Sequence, residues 1–143
     1  MLVSNILDEK GRDVISIAAE ATLLEAASVL TKNKIGALIV KGPGDALAGI
    51  ISERDIVLTL AGHGAAGLIL PVAACMTKDV ATCEESDTID VIMETMTSCR
   101  FRHMPVVAKS RVVGIVSIGD IVKTRIVETM REAQALKQYI ATG

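Results

Sequence analysis

Slid against itself by 66 places, the chain puts Asp13-Val14 on Asp79-Val80, Thr22 on Thr88 and Val40 on Val106. A one-residue gap then changes the offset to 65. Gly49-Ile50-Ile51-Ser52-Glu53-Arg54-Asp55-Ile56-Val57 now lies on Gly114-Ile115-Val116-Ser117-Ile118-Gly119-Asp120-Ile121-Val122, with six of the nine positions identical. An internal repeat restricts the fold strongly, because both copies must form the same unit. The copies run roughly 11–62 and 77–127 and are joined by a Gly-rich linker.

Each copy opens with a short β-prone stretch, Val14-Ile-Ser-Ile or Val80-Ala-Thr-Cys, and continues into an amphipathic helix starting at Thr22 or Thr88. Leu23, Ala26, Ala27 and Leu30 recur at helical spacing in the first copy, and Ile89, Ile92, Met93 and Met96 in the second. Two β-branched runs follow: Ala37 to Val40 and Leu47 to Ile51, then His103 to Val107 and Val112 to Val116. The turn residues Gly42-Pro43-Gly44-Asp45 and Lys109-Ser110 separate them. A second helix opens at Ser52 or Ser117. A βαββα unit of this kind has a one-sided sheet and buries it most simply against its copy. The expected fold is therefore α/β (α+β): two βαββα repeats packed with pseudo-twofold symmetry, plus an extended C-terminal helix. Residues 1–70 carry the N-terminal segment, first repeat and linker; residues 71–143 carry the second repeat and the long helix; together they form one compact module.

The 143 residues are half hydrophobic, enough for a real core in one such module. With 15 basic and 17 acidic side chains the net charge is -2, so no overall field steers the chain to nucleic acid or to an anionic membrane. One Phe, one Tyr and no Trp exclude a stacking platform for single-stranded nucleic acid. Cys75, Cys83 and Cys99 fit neither a zinc knuckle nor a C-x-x-C redox pair, and read as core hydrophobes in a reducing compartment. The N-terminus lacks the positive region of a secretory signal, so the expected location is the cytoplasm. Residues 56–77 carry no Lys, Arg, Asp or Glu, but Gly62, Gly64, Gly67 and Pro71 break them, and the expectation is no membrane span.

The duplicated Gly-h-h-Ser-x-x-Asp motif, with Phe101-Arg102-His103-Met104-Pro105-Val106 before its second copy, resembles the cystathionine-β-synthase (CBS) domain family, whose tandem pair is called a Bateman module. The resemblance extends from Lys10-Gly11 to Gln138-Tyr139-Ile140 and is to small stand-alone bacterial pairs. It implies a non-catalytic regulatory module with two clefts between the repeats for adenosine-containing ligands: AMP foremost, otherwise ADP, ATP, NAD or S-adenosylmethionine. By the family pattern, adenine lies against Ala81 and the strand from Phe101 through Arg102, His103 and Met104 to Pro105 in the Asp120 cleft. The Asp55 cleft would use Ile15 and Ile35, Gly36 and Ala37.

The residue chemistry agrees. Ser52 and Ser117 are placed to N-cap helices, while Asp55 and Asp120 stand in the first turn, where a carboxylate accepts hydrogen bonds from ribose hydroxyls and the helix end favours phosphate. The same Ser-x-x-Asp is also nearly a capping box, which needs no ligand. Arg54 and Arg102 could converge on one anion across the pseudo-twofold, with His103 assisting; the plain alternative is that Arg54, Arg100 and Arg102 are solvated or paired with Glu53, Glu84 or Glu85. Lys10 is a further ligand candidate. The Ser117–Asp120 cleft, lined by Arg102 and His103, is the stronger of the two. No nucleophile-base-orienter set and no metal cluster can be assembled, which speaks against an enzyme. Along the C-terminal helix Val122, Ile126, Met130, Ala133, Leu136 and Ile140 form a stripe that suits a homodimer seam. A module with no effector domain would signal in trans to an unknown regulated protein; the rival reading is a ligand-free homodimeric interaction scaffold.

Overall fold

In the computed structural model, which describes residues 1–142, a short helix α1 (Val3–Lys10) precedes the first repeat. That repeat runs β1 (Ser16–Ala18), α2 (Leu23–Asn33), β2 (Ala37–Lys41), β3 (Leu47–Ser52) and α3 (Glu53–His63). A 3-10 turn at Gly64–Ile69 and helix α4 (Val72–Cys75) make the linker. The second repeat contains α5 (Ile89–Cys99), β4 (His103–Ala108), β5 (Arg111–Ser117) and α6 (Ile118–Thr142). The uncharged stretch at 56–77 is thus divided among three short elements, and no described helix is long and apolar enough to cross a membrane.

Local chemistry repeats with the sequence. Thr22 and Thr88 cap α2 and α5, their hydroxyls accepting from the N–H groups of Glu25 and Val91. Both helices stop at a left-handed residue, Lys34 with φ 54° and Arg100 with φ 57°, which are 66 places apart. In each hairpin the register shifts just after the pair that includes the conserved-offset glycine, Val40 with Gly49 and Val106 with Gly114. A bulge there bends the ladder where another group comes close to the glycine.

One element is curtailed. β1 pairs in parallel with β2 over three residues, but the stretch from Val80 to Cys83 keeps a single bridge, Cys83 to Val106. A tight turn from Lys78 to Val80 precedes it, and a turn closed by the Asp87 carboxylate on the Glu84 N–H follows, so only one residue remains free to pair. The expected third strand of the second repeat is therefore a remnant.

The cores are exchanged between chain segments. Val3, Ile6 and Leu7 of α1 are buried with Met104, Val106, Val116 and Ile121 of the second repeat, whereas Val72 of α4 is buried with Leu23, Leu38 and Ile51 of the first. Between them a third cluster of Ala37, Ile39 and Ile50, packed by Val80, Val112 and Ile115, joins the two sheets face to face. β2 is consequently buried on both sides, with Ala37 and Ile39 on the seam and Leu38 and Val40 under α2.

Candidate functional site

The Ser-x-x-Asp segments are built as capping boxes. The Asp55 Oδ2 accepts from the Ser52 N–H at 2.8 Å and from the Ser52 hydroxyl at 3.1 Å, while the Thr77 hydroxyl donates to Oδ1 at 3.1 Å. In the second repeat, Asp120 Oδ2 accepts from the Ser117 N–H at 2.9 Å and from the Lys10 ammonium at 2.7 Å. A carboxylate offers about four lone-pair positions, so each aspartate retains room for a further donor. Burial opposes ionisation of Asp120, but the bonds from Lys10 and Ser117 outweigh it and hold the carboxyl below its ordinary range.

Beside Asp55 lies a cavity of about 700 Å³, within the range of small-molecule sites. The first repeat contributes Gly36, Ser52, Arg54 and Asp55; the second contributes Ala81, Phe101, Arg102 and His103, with Arg100 at the rim. Expected residues thus meet in a different combination. Ala81 and the Phe101–His103 run line the cavity beside Asp55, and His103 is at the same time close enough to Asp120 and Lys10 to feel their charges. The reason is the packing: His103 pairs with Ser117 within its own sheet, yet its ring reaches across the repeat boundary, with Nε2 about 3.0 Å from where a Gly36 Cβ would stand. Sheet neighbours and cleft neighbours are therefore not the same residues, and the cavity opens at Ser52 and Asp55.

Other expected residues are placed elsewhere. Met104 and Pro105 are buried in β4, the latter's carbonyl accepting from the Cys83 N–H at 3.0 Å. Ile15 and Ile35 pack on the core of the first repeat and Ala37 lies on the seam. Lys10 stands at Asp120.

Arg54, Arg100 and Arg102 all line this cavity. Among the described residues no carboxylate oxygen comes within 4.0 Å of these three guanidinium groups; Glu85, one expected partner, is bound to Arg12. The Arg54 guanidinium instead reaches the Arg100 carbonyl at 3.4 Å. Glu53, Asp55 and Asp79 keep the lining mixed in charge. Burial holds the His103 imidazole below its ordinary pKa; Glu53 and Asp120 act against this and Lys10 and Arg102 with it. His103 is therefore neutral near pH 7 and can accept or donate a hydrogen bond there. Among the lining residues that sequence reasoning did not name as ligand contacts are Thr77, whose hydroxyl meets Asp55, and Arg100, weighed only as a surface charge. The offset that pairs Arg100 with Lys34 was the available signal.

Among the described residues no group of three or more His, Cys, Asp or Glu could hold a metal ion. The family profile of the CBS domain matches residues 3–62 and 72–127. The mitochondrial CBS domain-containing protein CBSX3 of Arabidopsis thaliana is 32% identical over 99% of this chain and 72% of its own. The crystal structure of the CBS-domain containing protein ATU1752 from Agrobacterium tumefaciens is 46% identical, covers 87% of this chain and 92% of that one, and superposes with a TM-score of 0.85. A third similar structure is the CBS domain pair of protein MJ0100, solved in complex with 5-methylthioadenosine and S-adenosyl-L-methionine: 29% identity, 90% and 98% coverage, TM-score 0.80. With both repeats matched by the profile and the whole module matched by solved pairs, this chain belongs to the CBS-domain family as a tandem pair.

Proposed function

We propose that the chain is a non-catalytic sensor that binds an adenosine-containing ligand in the Ser52–Asp55 cleft and reports its occupancy to a partner protein. One observation carries this reading: a 700 Å³ cavity between the repeats presents the Asp55 carboxylate together with three guanidinium groups that lack carboxylate partners. The carboxylate suits a ribose diol, and the Arg54, Arg100 and Arg102 cluster suits phosphate. The ligand bound to the MJ0100 pair supports the adenosine part. The arginines favour AMP, with ADP, ATP and NAD as larger alternatives, over a sulfonium nucleoside. Calorimetric titration tests it. AMP should bind below millimolar, and Arg54→Ala should narrow the preference for AMP over adenosine; no binding, or an unchanged preference, would remove the reading.

The chain works as a homodimer in this account. Helix α6 spans 25 residues, and Ile126, Met130, Leu136, Tyr139 and Ile140 on its outer turns are each more than half exposed. Such a stripe suits a second copy of the same helix. Sedimentation should show twice the 15.0 kDa chain mass, and Ile126→Glu should return it to one. Three unpaired thiols suit a reducing compartment such as the cytoplasm. The regulated partner acts in trans, with no role for nucleic acid or membrane.

A further inference from the structure

We propose that Lys10 is an internal occupant of the Ser117–Asp120 cleft, so that the two clefts fill unequally and Lys10 decides which one takes ligand first. The inference rests on the nucleotide reading above. The pseudo-twofold sets Lys10 at Asp120 where Thr77 stands at Asp55. Thr77 is fixed by its backbone, exchanging both hydrogen bonds with Ile50, and only its hydroxyl touches the carboxylate. At the other cleft the side chain does both jobs: the Lys10 ammonium donates to the Ile115 carbonyl at 3.0 Å and to Asp120 at 2.7 Å.

These two partners respond differently to a ligand. A hydroxyl turns and accepts when a ribose donates; an ammonium has donors only and binds the carboxylate by charge, so a diol seeking Asp120 must first displace it. Little at that cleft compensates, because the counterparts of Arg54 and Arg102 are Gly119 and Gly36 and only Lys34, in the place of Arg100, keeps a positive charge. Meanwhile α1 does not depend on Lys10 for its seat. Val3 and Leu7 are fully buried, and the Leu7 δ-carbons fill the space beside Gly114. The side chain can therefore be removed with the helix in place.

The test isolates the second cleft in the full chain. AMP is titrated calorimetrically into the Asp55→Ala protein and into Asp55→Ala/Lys10→Met. Loss of Lys10 should tighten the remaining binding by about twofold to fivefold, as expected for freeing a partly exposed ion pair. Asp55→Ala/Lys10→Arg, which keeps the charge, should stay weak. Equal or weaker affinity without Lys10 overturns the proposal and makes the residue a bystander or a ligand contact. Wild type that binds no AMP would remove the nucleotide reading and this inference with it; wild type that binds, with no gain in the Met variant, removes this inference alone.

Discussion

Gly49 and Gly114 hold the same place in the two repeats, yet alanine should not cost the same at each. A Cβ on Gly49 would stand 2.6 Å from the Thr77 carbonyl oxygen and 2.8 Å from the Met76 sulfur. A backbone oxygen cannot rotate aside, so the segment must retreat by nearly an ångström. That stretches the two Ile50–Thr77 hydrogen bonds, now 2.9 and 3.0 Å, out of range. Two such bonds are worth about 1 kcal/mol each, and alanine returns roughly 0.4–1 kcal/mol by stiffening the unfolded chain. Adding contact strain of about 1 kcal/mol, at the low end for overpacking, gives a net loss of about 2 kcal/mol. At Gly114 the obstacle is the Leu7 side chain, with δ-carbons at 2.8 and 2.9 Å. Its far end can repack at about 1 kcal/mol, which the unfolded-state gain largely offsets. Urea denaturation at fixed protein concentration should find Gly49→Ala less stable than Gly114→Ala by at least about 1 kcal/mol. Equal losses, or the reverse order, would refute the close approach of Thr77 to β3, and with it the placement of the Thr77 hydroxyl on Asp55.

Three further outcomes follow from single groups. Because burial lowers the His103 pKa, below about pH 6.5 the unfolded chain takes up a proton that the folded one refuses, so stability should fall as pH drops through that window; His103→Gln should flatten the change in urea midpoint between pH 7.5 and 5.5. The Asp120 carboxyl is depressed instead, so its stabilisation is present above the unfolded value near 3.8 and fades as pH falls below it; Lys10→Met should reduce the acid sensitivity of the melting temperature there. Burial, with help from Asp87, pushes the Cys83 thiol up to about 12. At pH 8 an alkylating reagent should label exposed Cys99 readily and Cys83 only after unfolding, as read by peptide mass spectrometry.

The repeat architecture was legible because its signals are local and duplicated. Thr22 and Thr88 mark helix starts, the β-branched runs mark hairpins, and Ser52 and Ser117 mark the second helices; each of these requires only a few residues in the right order. Helix α1 and the exchange of α1 and α4 between the cores were not, since Val3, Ile6 and Leu7 carry no information about which repeat they cover. The cleft residues were named, but their meeting with Ser52 and Asp55 in one cavity was not legible, for a related reason. His103 and Ser117 are neighbours on adjacent strands, and a linear reading assigns neighbours to one site. The fold instead turns the His103 ring across the boundary toward Gly36, a fact of packing between sheets. Arg100 was hidden because a left-handed helix terminus looks like any surface basic residue until the cavity beside it is formed.

The central claim is that ligand binds first beside Asp55 and only more weakly beside Asp120. Titration of AMP into wild type, Asp55→Ala and Asp120→Ala, each shown to melt cooperatively, decides it. A charged acceptor contributes roughly 1.5–3 kcal/mol, so Asp55→Ala should weaken the first binding event by about tenfold or more, while Asp120→Ala should leave it within about twofold of wild type. If Asp120→Ala carries the loss and Asp55→Ala binds normally, the cleft beside Asp55 is the wrong site.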